Sequence, residues 1–153
     1  MIVSFHIFND AVWCSLNNGM SHPTTISLTV RAVATPSQTL PGVSLRLKGQ
    51  RQDHQFTRSM EEHRVTVCAE LEEGAHTLFL HYLSSSAQQG SVEIVKMHIQ
   101  GMPIGRPMYD GIYHAWDDPD THQKGQLTMQ RPGSWRYTIG VPTHTKHYGV
   151  GFA

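Results

Sequence analysis

The sequence has few charged residues, no excess of either charge and no long apolar run. Charged residues make up 16% of the 153 residues, and 12 basic residues balance 12 acidic ones. A chain without net charge lacks the basic surface that nucleic acids and anionic membranes select, so neither partner is expected. Apolar runs never reach the length of a transmembrane helix, and Met1 to Asp10 lacks the basic start of an export signal, so we expect neither a membrane span nor secretion.

Cysteine is also scarce. Only Cys14 and Cys68 are present, and Cys68 lies in an alternating apolar stretch. Unpaired cysteines are among the most buried residues, so we expect both thiols to be free and buried. Two cysteines leave the redox compartment undecided.

The motifs that mark nucleophilic catalysis and phosphate binding are missing from the sequence. It contains no Gly-x-Ser-x-Gly elbow, neither cysteine lies in a nucleophile signature, and the glycines are not spaced as in phosphate-binding loops. We therefore expect a protein that is not an enzyme. Hydrolysis by paired carboxylates is the catalytic alternative that these absences leave open.

What the sequence does contain is apolar residues alternating with polar ones, the pattern of strands with one buried face. The predicted strands cover residues 2–8, 26–31, 43–48, 64–71, 75–83, 91–99, 125–129 and 135–141. The turn at Glu72 to Gly74 predicts a hairpin between the strands that flank it. About eight short strands, with no sustained helical period, predict a single all-β domain over residues 1–153, a two-sheet antiparallel β-sandwich or jelly roll.

One face of each predicted strand must be buried. The residues assigned to the core on this basis are Val65, Val67, Leu78, Leu80, Val92, Ile94, Trp135 and Ile139.

Residues 102–124 form the longest stretch without alternation, and long irregular loops in compact domains are usually functional. This stretch contains Asp117, Asp118 and Asp120, with Asp110 upstream. Converging carboxylates are the ligands that Ca²⁺ prefers, so the first three are the predicted metal ligands. Two alternatives stay open: a solvated turn beside Pro119, and paired acid and base catalysis.

Histidine is abundant, with 11 residues scattered along the chain. His144 and His147 lie three residues apart, and His114 or His122 offers a third nitrogen for a transition metal. Ordinary surface or hydrogen-bonded histidines are the alternative, because the pair does not lie on a predicted helix.

Aromatic residues concentrate in the last third of the chain. Trp135 and Tyr137 alternate on a strand and are assigned to the core. Rings exposed on loops stack on sugar faces or anchor protein interfaces. The predicted binding residues are Tyr109, Tyr113, Trp116, Tyr148 and Phe152, with core packing an equal alternative for Tyr113 and Trp116.

Two local patterns point to a known fold. Residues 73–80 (EGAHTLFL) and 92–101 (VEIVKMHIQG) resemble the Gly-x-His hairpin and closing strand of calcium-dependent xylan-binding modules, which are jelly-roll sandwiches. Residues 109–113 (YDGIY), 133–137 (GSWRY) and 144–152 (HTKHYGVGF) resemble, in that order, small structural proteins of tailed marine phages with the same sandwich. Together the patterns cover roughly the second half of the chain. The resemblance implies the sandwich fold first, a virion role second and carbohydrate binding third.

Our leading hypothesis from the sequence is a non-catalytic virion component, such as a decoration, collar or tail-associated protein. It would be assembled in the host cytoplasm into an oligomeric structure with other virion proteins. Residues 102–124 and the tail, residues 143–153, are expected to make the subunit contacts. The alternative is a carbohydrate-binding module that binds a glycan, with or without calcium. A cupin-like metalloenzyme is the third hypothesis.

Overall fold

The computed structural model describes residues 3–8, 11–16, 21–83, 88–118, 120 and 122–142, of which 3–8, 11–16 and 106–107 are described by their backbone only. The strands in this part of the chain are β1 (Val3–Phe8), β2 (Ala11–Leu16), β3 (His22–Val33), β4 (Gly42–Leu47), β5 (Gln50–Gln55), β6 (Glu62–Leu71), β7 (Gly74–Leu83), β8 (Ser91–Ile99), β9 (Met102–Ile104), β10 (Ile112–Ala115), β11 (Gln123–Lys124), β12 (Thr128–Met129) and β13 (Gly133–Val141). A single 3-10 helix (Arg106–Asp110) accompanies them. No helix in these ranges is long and apolar enough to cross a membrane.

The strands form two main antiparallel sheets and a small hairpin. One sheet has six strands in the order β11-β10-β13-β7-β4-β5, and the other has the order β12-β8-β3-β6 with β9 paired to β8. Within the described ranges, β1 pairs with β2 in a separate two-stranded sheet, and β2 packs against β3 and β6. The sequence prediction of an all-β, two-sheet sandwich is confirmed.

The core lies between the two main sheets and is built from the inward positions of their strands. Ile26, Leu28 and Val30 on β3 are fully buried, as are Leu78 and Leu80 on β7. All eight residues that alternation assigned to the core are buried. Alternation predicted the buried face correctly because a strand of period two has only two faces to choose between.

The predicted hairpin between the strands on either side of Glu72 to Gly74 is wrong. Strand β6 pairs with β3, whereas β7 pairs with β4 and β13 in the other sheet. The turn therefore carries the chain from one sheet to the other instead of joining neighbours. A short turn between two alternating strands fits both arrangements, because alternation predicts the buried face and not the pairing partner.

The stretch from 102 to 124 is also more regular than expected. It contains β9, the 3-10 helix, β10 and β11, and β10 lies between β13 and β11 in the six-stranded sheet. These strands have two to four residues, which is too short for alternation to be recognised.

Cys68 is fully buried, as expected, but it is disulfide-bonded, so the expectation of a free thiol is wrong. Cys14, on β2, is the other cysteine of the chain. Whether cysteines pair depends on the distance between their backbones in the fold, which the alternating pattern does not report.

Strands β5 and β6 lie at the ends of their sheets and meet through their side chains. The rings of His54 and His63 stack with centroids 3.6 Å apart. The Glu61 carboxylate lies 2.8 Å from Nε2 of His54 and also accepts hydrogen bonds from the backbone N–H and hydroxyl of Thr57. These polar contacts join the two sheets along one edge of the sandwich.

Candidate functional site

The outer face of the six-stranded sheet carries the side chains that alternate with the core residues. Arg136 on β13 lies between the buried Trp135 and Tyr137, and Phe79 on β7 lies between Leu78 and Leu80. Arg136 and Phe79 are directly paired across the two strands. Side chains at paired positions project from the same face, so both lie on the outer surface of the sheet.

A single cross-strand line runs through this pair and spans the sheet. We call it the basic row; in order from β11 to β5 it consists of Lys124, Ile112, Arg136, Phe79, Arg46 and Arg51. Ile112, Arg136, Phe79 and Arg46 are partly buried, while the two terminal residues are exposed. Four cationic side chains therefore share one line with two apolar ones.

A cleft of about 430 Å³ opens on this face beside the centre of the basic row. The residues that line it are Thr77, Asp110, Ile112, Arg136, Tyr137, Thr138 and Gly140. Thr77 and Thr138 are paired across β7 and β13 and provide two hydroxyl groups. The cleft thus combines an apolar wall with a carboxylate, a guanidinium and hydroxyls within reach of one ligand.

The 3-10 helix places Asp110 at this cleft. Met108 anchors the helix in the core, and the backbone N–H of Gly111 donates to its carbonyl at 3.2 Å. Gly111 lies directly on the Trp135 ring, since a Cβ at this position would come within 2.3 Å of it. Only glycine allows this approach, which brings the preceding Asp110 to the sheet surface.

A second group of rings lies one cross-strand line away. The His81 ring contacts Phe79 edge to face at 5.9 Å, and Trp116, which is 47% exposed, contacts His81 from above. Burial, with a smaller contribution from the positive charge of Arg46, lowers the pKa of His81. The imidazole is therefore mostly neutral at pH 7. Phe79, His81 and Trp116 together form an aromatic surface on the outer face of the sheet, next to Arg46 and Arg136.

The acidic residues predicted to bind calcium are engaged with the protein itself. Oδ1 of Asp117 and Oδ2 of Asp118 lie 3.5 and 3.9 Å from the guanidinium of Arg131. Oδ1 of Asp118 also accepts the backbone N–H of Asp120 at 3.3 Å. Within the part of the chain whose side chains are described, no three His, Cys, Asp or Glu residues come together as a metal site. These carboxylates therefore do not form an assembled calcium site among the described residues, and calcium binding stays a prediction of the sequence.

The other predicted site residues fall in different environments. Tyr109 is 53% exposed and immediately precedes the cleft residue Asp110. Tyr113 is buried, and its hydroxyl donates to the carbonyl of Arg131 at 2.7 Å. Burial raises the pKa of Tyr113. Tyr113 is therefore a core residue and not part of the exposed surface. His114 and His122 have ring centroids 4.8 Å apart. Tyr148, Phe152, His144 and His147 lie outside the described residues.

Sequence reasoning missed Arg46, Phe79, His81 and Arg136. Each occupies a polar or outward position of a strand that was otherwise predicted correctly. Their significance comes from the register that aligns β13, β7 and β4, which involves residues far apart in the sequence. The outward phase of the alternation was the available signal, but it does not predict which strands become neighbours.

Comparison with known proteins supports the fold. No family model and no curated protein sequence matches the chain. A solved structure matches with a TM-score of 0.52 and 13% identity, covering 74% of this chain and 89% of its own. It is the selenomethionine form of vCBM60, from a study linking two families of calcium-dependent carbohydrate-binding modules by circular permutation. At this identity the likeness concerns the arrangement of the strands.

Proposed function

We propose that the protein is a non-catalytic carbohydrate-binding domain that holds a glycan on the outer face of its six-stranded sheet. The observation that carries the proposal is the cleft, where paired threonine hydroxyls, Asp110 and Arg136 converge beside Ile112. Ligand sites are typically concave and apolar with a few polar groups that fix orientation. The sandwich fold shared with a carbohydrate-binding module supports this proposal.

The chemistry of the cleft suits sugar hydroxyls. Thr77 and Thr138 each offer a hydroxyl that both donates and accepts, Asp110 accepts, and Arg136 donates. A sugar ring also has apolar C–H faces, which pack against aromatic rings. Phe79, next to Arg136, and Trp116, above His81, provide two such rings along the same face. We propose that they extend the site beyond the cleft along the glycan chain.

This proposal does not depend on a metal. The similar solved structure is described as calcium-dependent, but here Asp117 and Asp118 pair with Arg131. The polar groups of the cleft belong to β7, β13 and the end of the 3-10 helix. Sugar recognition would then use protein side chains directly.

The virion role expected from the sequence has no support in the fold likeness, which favours the carbohydrate-binding alternative. Exposed Tyr109 and Trp116 suit either a glycan or a protein partner. Sedimentation of the purified chain, alone and with glycan, separates the two. A monomer that shifts only when a polysaccharide is added agrees with the proposal.

The direct test is affinity electrophoresis of the purified protein through gels containing neutral and acidic plant and microbial polysaccharides. Retardation by at least one polysaccharide is expected, and the double variant Thr77→Val, Thr138→Ala should bind it roughly 30-fold more weakly, because two hydrogen bonds of about 1 kcal/mol each are lost. Thr29→Ala, on the outer face of the other sheet, is the matched control. Migration unaffected by every polysaccharide would remove the proposed function.

A further inference from the structure

The basic row identifies the chemistry of the glycan more narrowly. We propose, building on the glycan-binding function above, that the protein recognises an acidic polysaccharide whose uronic-acid carboxylates are held by Arg46 and Arg136 on either side of Phe79. The register places these two arginines on β4 and β13, the strands that flank β7. The proposal follows from their charge, their spacing and the ring between them.

The cations of the basic row are neutralised by carboxylates at its two ends only, among the described residues. At the two ends of the row, Lys124 lies 3.7 Å from Oδ1 of Asp110, and Nη2 of Arg51 lies 3.3 Å from Oδ2 of Asp53. Arg46 and Arg136, in the middle, have no carboxylate within ion-pair distance among the residues that the structure describes. Nε of Arg46 donates to the Ser44 hydroxyl at 3.0 Å, which orients the side chain while leaving the outer edge of the guanidinium free.

The opposite sheet shows how the same kind of position is neutralised elsewhere in this protein. Arg31 lies on the outer face of β3 between two cross-strand glutamates. Its guanidinium lies 3.0 Å from Glu62 and 3.2 Å from Glu93. The corresponding neighbour of both Arg46 and Arg136 is the ring of Phe79 instead of a carboxylate. A carboxylate of a bound ligand would form ion pairs with these arginines, as the two glutamates do with Arg31.

The spacing and the ring favour a sugar polymer. Two strand separations place the backbones of Arg46 and Arg136 about 10 Å apart. A guanidinium binds a carboxylate through two parallel hydrogen bonds, and this planar fork makes the contact specific. Phe79 provides an apolar floor between the two forks, suited to the C–H face of a sugar ring. A chain of uronic acids presents both features in repetition.

A nucleic acid is the other anionic polymer to consider, and the charge distribution argues against it. The chain has no net charge, the cations on this face are confined to the basic row, and the two at its ends are paired with Asp53 and Asp110. Nucleic acids are bound by broader basic surfaces that neutralise many phosphates. We therefore assign the row to a glycan and treat nucleic acid as an outcome of the test.

The test measures binding of the full chain by calorimetry to polygalacturonate, its methyl ester, a neutral xylan, a sulfated galactan and single-stranded DNA. Methyl esterification keeps the sugar backbone and removes the charge. Binding to polygalacturonate is expected to weaken roughly tenfold or more on esterification, and to weaken to a similar extent in Arg46→Gln and in Arg136→Gln. Arg64→Gln, exposed on the outer face of β6, should bind like the unchanged protein.

The outcomes of these measurements distinguish specificity for acidic glycans from glycan binding itself. Equal binding to the ester or to xylan would overturn the acidic specificity and leave glycan binding intact. Binding that is equal or stronger for DNA or the sulfated galactan would overturn the assignment to carboxylates. Failure to bind any glycan would remove both proposals. Circular dichroism of the two arginine variants confirms folding, and lysine at either position should restore part of the affinity, because it keeps the charge but not the fork.

Discussion

The indole of Trp116 meets the imidazole of His81 edge to face, with ring centroids 5.4 Å apart and planes at 89°. Trp116 lies just past the end of β10, while His81 lies on β7, which is separated from β10 by β13. The indole therefore reaches across one strand of the outer face. Nearly half of its surface stays exposed, so the same ring contacts the protein on one side and is available to a ligand on the other.

Replacing Trp116 by alanine should weaken glycan binding while leaving the domain folded. An aromatic pair contributes about 0.5–1.5 kcal/mol beyond its buried area, so the free energy of unfolding should fall by at least that amount. The loss of a stacking ring should lower glycan affinity roughly tenfold. Urea denaturation and calorimetry measure the two effects, with Trp116→Phe as the control that keeps a ring. Unchanged affinity in the alanine variant would place Trp116 outside the site.

Truncating Leu78 or Leu80 to alanine should lower the free energy of unfolding by about 2–5 kcal/mol, the usual loss for a fully buried leucine. Both side chains point between the two sheets, where neighbours cannot fill the vacated volume. Urea denaturation gives the value, and Thr29→Ala, on the outer face of the other sheet, should change it by no more than about 0.5 kcal/mol. A loss below about 0.5 kcal/mol at both leucines contradicts the assigned faces.

Acid should destabilise the protein in two steps, through the cluster that joins β5 and β6. Burial, with a smaller contribution from the charge of His54, lowers the pKa of His63 from its ordinary 6.5. Hydrogen bonds, chiefly with His54 and then with Thr57, lower the pKa of Glu61 from 4.5 to about 2. In both cases the unfolded chain binds protons at a higher pH than the native chain, so protonation favours unfolding.

The first loss of stability is therefore expected as the pH falls below about 6.5, and the second between 4.5 and about 2. Melting temperatures measured from pH 8 to pH 2 follow both steps. Glu61→Gln should flatten the lower step and reduce stability at neutral pH, whereas Glu72→Gln, on an exposed turn, should leave the profile unchanged. A melting temperature that stays constant down to pH 3 would contradict the prediction.

The melting temperature should be the same in millimolar calcium as in a chelator. An ion that binds only the native state raises stability by mass action, but Asp117 and Asp118 are paired with Arg131 and Asp118 also caps the N–H of Asp120. Differential scanning calorimetry in calcium and in chelator measures the difference. A rise that grows with calcium concentration and disappears in Asp118→Asn would establish the metal site expected from the sequence.

The sequence was a good guide to the interior and a poor guide to the surface. Strand β8 matches the predicted span, and the core residues follow the alternating pattern, because burying an apolar side chain is favourable whatever its neighbours are. Strand β5, with the sequence QRQDHQ, was missed because it has no apolar face of its own. It becomes a strand because it forms hydrogen bonds with β4, and the sequence of β5 alone does not predict this pairing.

The candidate site was harder to predict for a related reason. Tyr109, Trp116 and Asp110 could be noticed in the sequence because aromatic and acidic residues concentrate in residues 102–124. Arg46 and Arg136 are ordinary polar residues on strands, ninety positions apart in the chain, and acquire a role only when β7 aligns them. Long-range register decides which surface residues act together, and it is absent from any local pattern.

Strand β5 has a further consequence for the protein in solution. It is the last strand of its sheet, and a strand in that position offers unpaired backbone groups to any other chain that can extend the sheet. Arg51, Gln52 and Asp53 are all exposed on it, so a second copy pairing there would have to take charged and polar side chains out of water. The polar sequence that concealed this strand from prediction thus opposes aggregation of the folded protein by edge-to-edge sheet growth.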